Sequence, residues 1–66
     1  MSRVTEVKVV VLREDGEPVW RVFASVDGVQ RITTPRFNSA GAAGAYADLL
    51  LSGYRQPEFA DESVRP

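Results

Sequence analysis

Phe37 to Tyr54 reads FNSAGAAGAYADLLLSGY, a stretch in which Asp48 is the sole charge and which Arg36 and Arg55 bracket. It predicts one short helix. Asn38 or Ser39 offers a side-chain oxygen to the free amides of a first turn. Gly53 can take the left-handed conformation that ends a helix. About thirteen residues lie between these caps, roughly 20 Å of helix at 1.5 Å per residue. At 100° per residue, Gly41, Ala45, Asp48 and Ser52 form a narrow polar strip. Ala40, Ala43, Tyr46, Ala47, Leu50 and Leu51 face the other way, and Ala42 and Leu49 widen that apolar arc. Three consecutive leucines cannot all meet one sheet face. A rim position for one of them is the simpler reading. Another protein or a second copy of the chain, a homodimer, is the reading preferred here, with Tyr46, Leu49, Leu51 and Tyr54 as the partner-binding residues. Under the simpler reading Tyr46 belongs to the core and Tyr54 caps the helix end.

Outward toward the N-terminus, Val4 to Arg13 (VTEVKVVVLR) predicts a strand, because β-branched residues suit a pleated surface. Val7, Val9 and Val11 share one face. Asp15-Gly16 then supplies the two positive-φ positions of a tight hairpin turn. That turn sets Val11 opposite Trp20, Val9 opposite Val22 and Val7 opposite Ala24, all apolar and all on one face. The acids Glu14, Asp15 and Glu17 crowd this turn without the ligand spacing of a calcium loop.

The second turn allows two registers. A two-residue Asp27-Gly28 loop sets Arg31 against Ala24 on the core side and Ile32 beside Phe23 outside. A three-residue loop, Val26-Asp27-Gly28, sets Ile32 against Val22 and turns it inward. The expectation follows the second, which buries the isoleucine and exposes the arginine. The outer sheet face then carries Lys8, Val10, Arg21, Phe23, Arg31 and Thr33. Cations around an aromatic ring can hold phosphates and stack bases, or can form an ordinary solvated face. Lys8, Arg21, Phe23, Arg31 and Arg36 are accordingly the nucleic-acid-binding candidates. The pI near 5.2 favours the solvated face.

At 66 residues the chain is expected to be a single domain that hides only about 60% of its unfolded surface on folding. The absence of cysteine and histidine removes disulfides, thiolate chemistry and the common zinc ligand sets. An enzyme would need paired carboxylates or an activated lysine or serine, and Lys8 is the one lysine. No catalytic residue, metal or cofactor is therefore expected. Gly41-Ala42-Ala43-Gly44 is a two-glycine pattern without the βα context or basic residue of a phosphate cradle. Close approach of helix to sheet is its simpler explanation. No apolar run reaches the about 20 residues of a membrane span, and Met1-Ser2-Arg3 leads into a strand rather than a signal segment. A cytoplasmic protein without membrane contact is the expectation. Residues 58–66 carry a net charge of −2, leaving +1 for residues 1–57.

The order of elements, with Trp20, Phe37, Asn38, Ser39, Ala40, Ala45 and Tyr46, resembles the AP2-like DNA-binding fold of plant regulators and of the arm-binding regions of phage integrases. That resemblance covers less than half the chain. It implies groove contacts by strand cations, a role that would fall to Arg21, Arg31 and Arg36. In format the chain is also similar to small phage-encoded inhibitors of the anti-CRISPR type, a likeness that implies a protein-binding surface and no catalysis.

The expected architecture is α+β: a three-stranded antiparallel sheet in β-β-β-α order, with one C-terminal helix packed on one face. Residues 1–56 form the domain, and 57–66 a flexible acidic tail. The expected function is a small non-enzymatic protein-binding module, an inhibitor that occludes a surface of a host protein. The alternative is nucleic-acid binding by the outer sheet face.

Overall fold

The computed structural model describes residues 3–60. Three strands, β1 (Val4–Glu14), β2 (Glu17–Val26) and β3 (Val29–Ile32), precede one helix, α1 (Ala40–Ser52). The sheet is antiparallel in the order β1-β2-β3, and α1 packs on one face of it. Among the described residues no helix is long and apolar enough to cross a membrane.

The first hairpin follows its turn chemistry. Asp15 and Gly16 both have positive φ, 54° and 80°, which matches the twist of the flanking strands. The expected pairs Val11–Trp20, Val9–Val22 and Val7–Ala24 form, and the register shifts only near Thr5.

The second hairpin corrects the expected register. Asp27 and Gly28 also have positive φ, 54° and 81°, so the loop has two residues and Arg31 pairs with Ala24, Ile32 with Phe23. Burying the isoleucine in preference to the arginine would matter only under a helix that covers all three strands. The helix lies over β1 and β2, so an arginine on the helix-side face of β3 is not sealed into a core. Its guanidinium lies over the Phe59 ring, 4.2 Å from the centroid, a favourable cation–π placement.

Ser39 caps α1, its Oγ accepting from the Ala42 amide at 3.2 Å. At the other end Gly53 is left-handed, and the amides of Gly53 and Tyr54 donate to the carbonyls of Leu50 and Leu49. Ala43, Ala47 and Leu50 face the sheet and pack with Val4, Val22 and Ala24, with Trp20, Val26, Phe37, Tyr46 and Phe59 around them. Of the three leucines only Leu50, 2% exposed, is buried.

Two further expectations are revised. The expected boundary at residue 56 moves outward, because Phe59 bridges Thr33 and the Thr34 amide donates to the Glu58 carbonyl at 2.8 Å. Residues 58 and 59 thus pair with the chain just past the end of β3, while 61–66 of the expected tail lie outside the described residues. The glycines of α1 are not packing requirements either. A Cβ added at Gly41 or Gly44 meets nothing within 4 Å; Ala43 lies in the core between helix and sheet, with 0% exposure.

Candidate protein-binding surface

The outer sheet face does not assemble the five nucleic-acid-binding candidates. Lys8 and Phe23 are a cross-strand pair there. Arg21 shares the face but is 5% exposed. Past Thr33 the chain bulges before Phe37 rejoins Trp20, so residues 34–36 stand opposite Arg21 alone. Its guanidinium fills that opening, donating to the carbonyls of Thr33 (Nη2, 2.7 Å) and Pro35 (Nε, 3.2 Å) and to Glu14 Oε2 (Nη1, 3.3 Å). Arg36 closes the network from outside through Nε to Glu14 Oε1 at 2.9 Å. The hydrogen bond from Arg36, with both nearby positive charges, holds the Glu14 carboxyl below its usual range. Arg31 belongs to the opposite face, as the corrected register requires. Two of the expected cations are therefore committed to holding the chain between β3 and α1, and a third is on the other side of the sheet.

The helix candidates divide differently. Tyr46 is half-buried, its ring 5.5 Å from that of Phe37, and burial pushes its phenol pKa up. It is part of the packing between α1 and the chain beyond β3. Leu49 and Leu51 flank buried Leu50 on its two sides and are exposed, and Tyr54 just past the cap is 83% exposed. The last turn of α1 thus presents two large uncovered side chains, and the residue past its cap a third.

Leu51 also borders a cleft of about 330 Å³ between the end of α1 and the start of β1. Val4, Leu50 and Phe59 contribute to its apolar floor. Arg3, Arg31 and Arg55 are its charged lining residues, and no acid lines it among the described residues. Sequence reasoning missed this grouping. Arg55 could have been placed there as the first charge after the helix cap, whereas Arg3 and Arg31 join it only through the long β1 and the two-residue second turn.

No family model matches the chain, and neither does any characterised protein or solved structure.

Proposed function

We propose that this is a small non-enzymatic binding module of the inhibitor type, which occludes a surface of another protein with the C-terminal end of α1. The observation that carries the reading is that Leu49, Leu51 and Tyr54 are all uncovered at the C-terminal end of α1, the leucines on its two flanks and the tyrosine just past its cap. Small domains expose single apolar residues routinely. Three such residues around one helix end, one of them an almost fully exposed tyrosine, have the composition of a contact surface. Tyrosine brings large contact area at low entropic cost and is enriched among residues that dominate binding energy. Arg3 and Arg55 at the cleft beside Leu51 favour a partner that presents carboxylates next to apolar side chains, with the charges steering encounter and orientation.

The test is capture from a lysate of the source cells with wild-type bait and with Leu49→Asp/Tyr54→Ala bait. A protein retained by the first and released by the second, while the variant keeps its fold by circular dichroism, supports the reading. An identical set of retained proteins overturns it.

A further inference from the structure

The two edges of the sheet are treated differently. On the far side, β3 is only four residues long, and residues 58 and 59 pair with Thr33 and Thr34 just past its end. Among the described residues nothing pairs with the outer edge of β1, an eleven-residue strand. The hydrogen bonds of β2 show which groups that edge leaves open. Trp20 uses both its amide and its carbonyl on Phe37, and the Val22 carbonyl accepts from the Thr33 amide. The residues opposite them, Val11 and Val9, therefore direct their own amides and carbonyls outward, since paired residues in an antiparallel ladder alternate in this respect. Their side chains are also uncovered, at 55% and 38% exposure. A long, apolar, unpaired edge is a ready template for another strand.

We infer that β1 pairs antiparallel with β1 of a second copy about a two-fold axis at Val9, making one six-stranded sheet with both helices on the same face. The sequence of the strand selects both the occupant and the register. Centred on Val9, the helix-side face sets Val9 against Val9 and Val7 against Val11 of the second copy. The outer face sets Lys8 against Val10 and Glu6 against Leu12, so no like charges are directly opposed. Moving the axis to Lys8 opposes the two lysines. Moving it to Val10 opposes Glu6 to Glu14. Both juxtapositions are destabilising in a cross-strand pair. An axis at Val11 sets Val9 against Arg13, and one at Val7 sets Val9 against Thr5 in the irregular part of the strand. Strands about 4.8 Å apart would place two helices, each above the seam of β1 and β2, about 10 Å apart, an ordinary packing distance. The two-fold contact uses the β1 edge of both copies, so pairing through β1 closes at two copies rather than growing into a fibre. This inference is independent of the foreign-partner reading, which concerns the end of α1.

The test is solution mass by light scattering over a wide concentration range, on wild type and on Val9→Lys/Val11→Lys. The wild type is expected at twice the 7.3 kDa chain mass. The double variant, folded by circular dichroism, is expected at the monomer mass, with dimer dissociation shifted by at least about tenfold. A wild type that stays monomeric, or a folded double variant that stays dimeric, overturns the inference. Should the double variant unfold, single cysteines decide, since the chain has none of its own. Under mild oxidation Val9→Cys is expected to link to itself, its two Cα atoms about 5.5 Å apart and within disulfide reach. Val11→Cys is not, because that register separates its two copies by about 13 Å along the strands. The reverse pattern, or no linking by Val9→Cys, overturns the inference.

Discussion

Arg21 donates from Nη2 to the Thr33 carbonyl at 2.7 Å, at the point where β3 gives way to the connection that starts α1. One long side chain thereby supplies donors to two carbonyls of a bulged segment, Thr33 and Pro35, that the sheet ladder cannot satisfy there. Buried carbonyls need such partners, and a planar guanidinium with several fixed donors serves where a single ammonium would not. The position of the helix on the sheet therefore depends on an arginine that the sequence alone marks as a surface cation.

Arg21→Ala is expected to destabilise the fold by about 2–4 kcal/mol, the cost of leaving one buried and one part-buried carbonyl without donors. In a domain this small that lowers the melting temperature by more than about 10 °C. Arg21→Lys is expected to recover only part of the loss. Thermal melts followed by circular dichroism measure both. If Arg21→Ala melts like wild type, the residue is released from its structural role and returns as a candidate nucleic-acid contact.

Glu14 supplies a pH dependence to the same network. Its folded-state pKa lies below the ordinary value, chiefly through the Arg36 hydrogen bond. A carboxyl with a depressed folded pKa contributes stability that is present above its unfolded pKa and is lost as pH falls through the folded value. Wild type is therefore expected to lose stability from the ordinary glutamate range downward, whereas Glu14→Gln starts lower and loses less over that interval. Urea titrations at a series of acidic pH values compare the two slopes. Parallel slopes would show that the ion pairs with Arg21 and Arg36 are not coupled to folding.

What was legible in the chain was local. Valine alternation, the Asp15-Gly16 turn and the run from Ser39 to Gly53 each contain their own instructions, and the fold class, the first register and both helix caps follow from them. A burial rule applied to Arg31 fails at the second turn because the helix lies over β1 and β2 and leaves β3 open. Asp27-Gly28 carries the same dipeptide as the first turn and forms the same two-residue loop. The Glu14–Arg21 ion pair was readable in principle, since the first register places both residues on the outer face. The bulge at residues 34–36 and the return of Phe59 to Thr33 were not, because both depend on contacts between segments distant in sequence.

Phe59 tests that return. Its ring packs against the core, lies under the Arg31 guanidinium and stands next to the carbonyl of Glu58 that receives the Thr34 amide. Phe59→Ala is expected to cost about 2 kcal/mol, less than the 3–5 kcal/mol typical of a fully buried phenylalanine because this ring is only half-buried. The Thr34 amide is expected to exchange faster with solvent as its partner strand loosens. Unchanged stability together with unchanged exchange at Thr34 would assign residues 57–60 to a passive tail.

Gly41 and Gly44 offer the opposite sign. Both lie inside α1, and a methyl group at either position meets nothing within 4 Å. The backbone of both is helical, so alanine introduces no strain, restricts the unfolded chain and improves helix propensity. Gly41→Ala and Gly44→Ala are each expected to stabilise the domain by roughly 0.5–1 kcal/mol. The sites are three residues apart on one helix, so the double variant need not be the sum of the singles. Ala43→Gly is the control: it lies in the core between helix and sheet with 0% exposure, and removing its methyl costs both propensity and packing. Denaturant midpoints at low protein concentration separate these effects from association. A loss of stability at Gly44→Ala would mean that this helix flank is occupied by something outside the described chain.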